Sequence, residues 1–286
     1  MIAVRQEEDP ITKAKLYQKW ADLYYDKAKA MPEDNMTART LKSIELESAI
    51  PLYDKCIELL PKADADLRKE FISAYYNRAS SLRKNTEFND SLAKDELTAV
   101  YEKILNDYIS INTLDPSLLH IHEHLGDMYA KLEQPVEAIH EYGELDKKLE
   151  EFLRSDYANA IKNKDIYVME LYLKLATQYI PKKDFDMCEH YVNSVLESFT
   201  KVPGYEERVR QLKAIAHHTV GRCALVMNRY HSCIAHNTKA IAADSSFAPA
   251  YRDRIISFEK LDRPDEAIDD KKMLEYITRK IVFERK

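Results

Sequence analysis

The stretch His122 to Tyr142, HEHLGDMYAKLEQPVEAIHEY, constrains the fold more than any other part of the chain. It reads as two short amphipathic helices joined by a turn. His122, Leu125, Gly126 and Tyr129 share a face of the first, and Ala138 and Tyr142 share a face of the second. Variants of it return along the molecule. Tyr17, Trp20, Ala21 and Tyr24 begin the series, followed by Tyr75, Arg78, Ala79 and Leu82. Then come Tyr172, Leu175, Ala176 and Tyr179; His217, Val220, Gly221 and Ala224; and Tyr251, Ile255 and Phe258.

The small residue of each set has a physical reason. Glycine inside a helix is about 1 kcal/mol worse than alanine, so Gly126 and Gly221 need compensation. Close approach of two helices supplies it, and a larger side chain there would overpack the contact by about 1–3 kcal/mol. Ala49, Ala138, Cys188, Cys233 and Ala267 fit the same contact from the following helix. The tyrosines and phenylalanines of the pattern then fill the wedge between successive units. Composition agrees: only 4 Gly and 10 Pro in 286 residues argue against an all-β fold or a glycine-rich nucleotide site and for helices with tight connections.

The pattern resembles the tetratricopeptide repeat over most of the chain. The resemblance implies an all-α, right-handed superhelix, an α-solenoid of about six helical hairpins. The chain is expected to be one such domain over 1–286, with repeats near 14–61, 72–116, 119–150, 166–200, 212–245 and 248–274. The leading residues at 17, 75, 122, 172, 217 and 251 lie 58, 47, 50, 45 and 34 apart, and only the last interval equals the usual period of about 34. Elongated helices and insertions at 31–48 and 85–103 are expected to absorb the excess. An extra helical turn is expected after Thr37, and Pro51 either kinks the second helix or begins it. The second helix of the third hairpin reads as running on through LDKKLEEFLRSDYANAIK. Asp9-Pro10 reads as a helix start after a frayed beginning, and 275–286, with Ile277, Ile281 and Phe283, as a capping helix.

The same resemblance puts the ligand groove on the exposed face of the first helices. Carried onto this chain, that face holds Gln18, Asp22 and Tyr25, then Tyr76, Asn77, Ser80 and Lys84. It continues with Glu123, His124, Asp127 and Lys131, Lys174 and Thr177, His218 and Arg222, and Arg252 and Glu259. Mixed charge suits a peptide or helix carrying both signs and apolar anchors. A two-carboxylate clamp of the kind that binds chaperone tails is not expected. Asn77 matches its amide, but Gln18 and Asp22 stand where Lys and Asn would.

Other chemistry finds little support. His120 and His124, four apart, share a helix face that could chelate a metal, yet no further ligand cluster follows, so no metal site and no cofactor is expected. His217 reads as a packed, hydrogen-bonded core histidine. There is no GxSxG, HExxH or phosphate loop, so no enzyme is expected, and acidic pairs such as Asp269-Asp270 read as solvated helix faces. The net charge of −6 and pI near 5.9 give no support to nucleic-acid binding. No apolar run approaches the roughly 20 residues of a membrane span, and the start MIAVRQEEDPITKAK lacks a signal peptide's apolar stretch. Cys56, Cys188, Cys223 and Cys233 show no CxxC spacing and read as reduced core thiols of a cytoplasmic protein. The expected role is a protein–protein interaction scaffold, an adaptor or co-chaperone holding a partner's peptide or helix. The alternatives are a vesicle-trafficking adaptor like the soluble attachment proteins, or a bacterial effector or secretion chaperone on the same scaffold. Oligomeric state is not predicted.

Overall fold

A computed structural model describes residues 9–61, 64–89, 91–198 and 204–284, without the side chains of 281–284. Among these residues the chain is helical, with no strand, and it forms two compact units, 1–134 and 135–286. The first holds α1 (Pro10–Ala30), α2 (Met36–Glu58), the short α3 (Ala65–Lys69), α4 (Ile72–Phe88), α5 (Lys94–Leu114) and α6 (His120–Lys131). The second holds α7 (Pro135–Lys147), α8 (Leu149–Arg154), α9 (Lys164–Gln178), α10 (Phe185–Glu197), α11 (Glu206–Val226), α12 (Tyr230–Ala243), α13 (Ala248–Lys260) and α14 (Ile268–Glu284). The two helices of the best-formed sequence repeat, α6 and α7, thus belong to different units.

Within each unit successive helices pack as hairpins. In the first unit α1 lies on α2, α2 on α4, α4 on α5 and α5 on α6. In the second, α9 lies on α10, α10 on α11, α11 on α12, α12 on α13 and α13 on α14. Helix starts carry the expected caps: Asp9 Oδ2 accepts from the Thr12 amide at 2.6 Å, Asn35 caps α2, Asn163 caps α9 and Asp184 caps α10. The small residues of the pattern are fully buried where predicted: Ala21, Ala79 and Ala176 on first helices, and Ala49, Ala138, Cys188, Cys233 and Ala267 on second ones. Gly126 and Gly221 are buried too. All four cysteines are free and buried. Burial pushes the Cys56 thiol up to about 12, so it stays protonated and chemically quiet.

The turns after α6, α9, α11 and α13 share one device that the sequence reading missed. Glu133, Lys183, Asn228 and Asp262 each have φ between 56° and 59°. The residue after each donates its amide back five positions: Gln134 to Tyr129 at 2.9 Å, Asp184 to Tyr179 at 3.1 Å, Arg229 to Ala224 at 2.8 Å and Arg263 to Phe258 at 2.9 Å. This is the Schellman closure of a helix C-terminus, normally built on glycine. Its acceptors are the residues that end the repeat pattern on each first helix. A left-handed side chain costs about 1–2 kcal/mol, so it is tolerated here for the reversal it makes.

Several expectations are corrected. The lengthened first hairpin is not a loop with an added turn: α2 already begins at Met36 and runs as one 23-residue helix. Pro51 therefore lies inside it, on an exposed side, where the carbonyl it leaves unbonded faces water. The chain after Tyr142 is not one long helix, because it leaves the helical path at Lys148 and again at Ser155. The break lets Phe152 turn inward, fully buried, with its ring 5.4 Å from that of Tyr167. No separate cap follows the last hairpin: α14 is continuous from Ile268, and Ile277 packs with Ala248 and Tyr251. The side chains of Ile281 and Phe283, and residues 285–286 of the expected cap, lie outside what is described. Asp270 is not a solvated carboxylate but is buried against Arg254, whose Nε donates to it at 2.7 Å.

Lys183→Gly should raise the thermal midpoint slightly and Lys183→Val should lower it by several degrees, because only the second adds a β-branched side chain at positive φ. Equal midpoints in calorimetry would contradict the turn assignment. Gly221 offers a second test. A Cβ there would meet the buried Asn237 side chain at 2.7 Å from Nδ2 and 3.1 Å from Cγ. Gly221→Ala should destabilise by about 1–3 kcal/mol, with most of the loss recovered when Asn237 is also shortened to Ser. An alanine tolerated without loss would refute the close approach.

Candidate binding surface

The residues predicted to line a groove divide into those that hold helices together and those that remain presented. In the first unit Asp22 belongs mainly to the frame. Its Oδ1 accepts from the Tyr53 hydroxyl of α2 at 2.6 Å and from Asn77 Nδ2 of α4 at 3.1 Å, so one carboxylate ties three helices. Burial, with Asp22 beside it, pushes the Tyr53 hydroxyl far above its usual pKa, so it acts only as a donor. Asn77, the one match to a carboxylate clamp, directs its amide to Asp22. Gln18 donates to Ser73 at 2.7 Å. Next to Asn77 on α4, Arg78 grips the buried Asp107 of α5 through Nε at 3.0 Å and reaches Asp54 of α2 at 2.6 Å, where Lys103 also pairs.

An aromatic cluster joins α4, α5 and α6. The Tyr76 hydroxyl lies 3.3 Å from His124 Nε2, and the His124 ring stacks on Tyr108 at 5.0 Å. His120 completes it, 5.9 Å from His124 and 6.0 Å from Tyr76 in edge contacts. His120 and His124 are thus packed on tyrosines. Among the described residues no group of three or more His, Cys, Asp or Glu is placed to hold a metal. Glu123 and Asp127 are half-buried on the same helix, and Lys131 lies over the Tyr101 ring at 4.9 Å.

In the second unit the predicted residues are dispersed. Lys174 lies over the Tyr142 ring at 5.8 Å, and the Thr177 hydroxyl donates back to the Leu173 carbonyl at 2.7 Å. His218 and Arg222 converge on the buried Asp253 of α13, at 3.2 Å and 2.7 Å, and so join α11 to α13. Arg252 is exposed on α13, and Glu259 pairs with Lys271 of α14 at 2.7 Å. His217 points the other way, its ring 6.4 Å from that of His236. Contrary to expectation its buried Nδ1 has no hydrogen-bond partner among the described residues.

Tyr25, Tyr76, Ser80 and Lys84 come together on one surface, although Tyr76 also reaches His124 and Lys84 also pairs with Glu33 and Glu87. They line one cavity of about 330 Å³ between α1, α2 and α4, within the range of ligand pockets. The remaining walls are Lys29, Lys42, Leu46 and Arg83, which the groove reading missed. Their signal was legible: Tyr76, Ser80, Arg83 and Lys84 follow helical spacing, and Lys29 is one turn from Tyr25. Lys42 and Leu46 sit in the segment read as an insertion. Burial raises the Tyr25 hydroxyl's pKa, with the Ser80 hydroxyl bonded to it in opposition. At the rim Glu33 bridges Lys42 at 2.7 Å and Lys84 at 2.8 Å. Hydrogen bonds from these two lysines hold its carboxyl at about 2.

Burial depresses His120 to about 3 and His217 to about 4. Both are below the unfolded value near 6.5, so the stability they contribute is complete above pH 6.5 and is lost as pH falls towards 4. His217→Asn should flatten the decline of the thermal midpoint between pH 6.5 and 4. An unchanged slope would show that the buried ring is not responsible.

No family model matches the sequence, and no curated protein matches it. Solved structures do. The chain is similar to a MamA protein at 16% identity and TM-score 0.48, covering 74% of this chain and 93% of that one. It is similar to BtubC from P. vanneervenii at 14% identity and TM-score 0.47, covering 94% and 92%. It is also similar to YrrB, described as a TPR protein with an unusual peptide-binding site, at 16% and 0.44, covering 79% and 91%. At these values the matches add nothing to what the chain's own packing shows. In sequence pattern and in the hairpin packing inside each unit, the chain is similar to tetratricopeptide repeat proteins.

Proposed function

We propose that this chain is a protein-interaction scaffold, and that its first unit receives a peptide segment of a partner over the face shared by α1, α2 and α4. The observation that supports this most is the convergence of Tyr25, Tyr76, Ser80 and Lys84 on one surface cavity. They come from two helices whose other predicted groove residues are engaged in joining the frame. The cavity offers two aromatic rings and Leu46 as apolar contacts and hydroxyls and cations as polar ones, the mixture that fixes a peptide's orientation. The frame beneath is stiff, because Asp22 and Arg78 each tie three helices together. A partner segment would meet a surface that is already formed and loses little conformational freedom on binding.

The test is selection of displayed peptides against the whole chain, followed by titration of the selected sequences. Ser80→Trp fills the cavity from its wall and should weaken them by about tenfold or more, with the thermal midpoint held within a few degrees. Undiminished affinity in a folded variant would place binding elsewhere and end this reading.

A further inference from the structure

The cavity's charge is one-sided. Lys29, Lys42, Arg83 and Lys84 line it, and no acidic residue does so among the described residues. Glu33 at the rim neutralises part of this charge by bridging Lys42 and Lys84, and Lys84 also meets Glu87 at 2.9 Å. Arg83 is half-buried, and among the described residues no carboxylate lies within ion-pair distance of it or of Lys29. Two cations in the cavity are therefore unmatched. Of the two, Arg83 is half-buried and Lys29 is exposed, so partial desolvation adds to the attraction for an entering anion at Arg83 alone.

Resting on the scaffold reading above, we infer that this cavity, built by Tyr25, Lys29, Lys42, Ser80, Arg83 and Lys84, is a receptor for a phosphorylated side chain on the partner peptide. A phosphate monoester carries about −1.5 to −2 charges near neutral pH and three acceptor oxygens, which matches the two unpaired cations better than a single carboxylate does. The Arg83 guanidinium can offer a forked pair of donors and Lys29 a point charge. Tyr25, Tyr76 and Leu46 supply an apolar wall for the stem of the side chain. Glu33 acts as an internal stand-in: its carboxylate already sits where two of the four cations hold an anion, and it competes with an arriving phosphate.

Fluorescence anisotropy of the full chain with a labelled pool of short peptides, phosphoserine at the centre and flanks randomised, tests this against the same pool with serine. The phosphorylated pool should bind about tenfold tighter. Arg83→Glu should remove that advantage with an unchanged thermal midpoint, and Glu33→Gln should enlarge it about threefold by freeing Lys42 and leaving Lys84 with Glu87 alone, while its thermal midpoint falls because the nearly buried Lys42 loses its partner. The opposite response of Glu33→Gln separates ligand binding from a loss of structure. Equal binding of the two pools, an undiminished preference in folded Arg83→Glu, or weaker binding in Glu33→Gln would overturn the assignment. So would inorganic phosphate binding as tightly as the pool, since the ligand would then be a free anion. A serine pool that binds as well as its phosphorylated counterpart, and is blocked by Ser80→Trp, sinks this assignment but leaves the scaffold reading standing. If neither pool binds, both fall.

Discussion

Helices of this length can nest only because the contact between them has almost no side chain in it. Ala21, Ala79, Ala176 and Gly221 from first helices, and Ala49, Cys56, Cys188 and Cys233 from second helices, are all buried. Backbones brought this close leave tyrosine, leucine and isoleucine to fill the wedges on either side, as Tyr53, Tyr108, Ile104 and Ile111 do in the first unit. At Gly221 even one methyl would press on the buried Asn237 side chain of the facing helix. The hairpin geometry, the turns that close it and the surface it presents all follow from that spacing.

Small contacts alone do not fix register, since a row of alanines slides easily. The polar groups buried beside them supply it. The buried Asp107 and Asp253 and the half-buried Asp22 each hold partners from other helices, and these bonds form only in one alignment. Removing one partner from such a pair leaves a buried charge uncompensated, at a cost of about 3–5 kcal/mol. Residues that look like ligand contacts by position are thereby committed to the frame. On the reading proposed above, the surface left for a partner in the first unit is the cavity where Tyr25, Ser80, Arg83 and Lys84 meet.

Much of this was legible in the sequence. The spacing of Tyr75, Arg78, Ala79 and Leu82 marks a helix, the small residue marks its contact, and Asp9-Pro10 marks a start. The missed features share one reason, that a one-dimensional pattern does not say which three-dimensional neighbour will answer a residue. Pro51 is harmless because its side of α2 faces water, and that depends on where α1 and α4 lie. Lys148 leaves the helix because Phe152 finds Tyr167 to pack on. Asp22 and His218 have groove spacing, but Tyr53, Asn77 and Asp253 claim them. The cavity was half legible for the same reason. Its α4 wall follows a helical repeat, whereas Lys42 reaches it from a segment read as an insertion with one extra helical turn rather than as part of a 23-residue helix.

Replacing the fully buried Ala79 of α4 with leucine and measuring stability by chemical unfolding tests the nesting directly. Ala79 lies where the close approach leaves no space, so Ala79→Leu should cost about 3 kcal/mol or more, at the upper end of what overpacking costs in a well-packed core, while far-ultraviolet circular dichroism stays helical. A leucine accommodated with no loss, or with a gain from added apolar burial, would show that the helices are not held at backbone distance and would contradict the account.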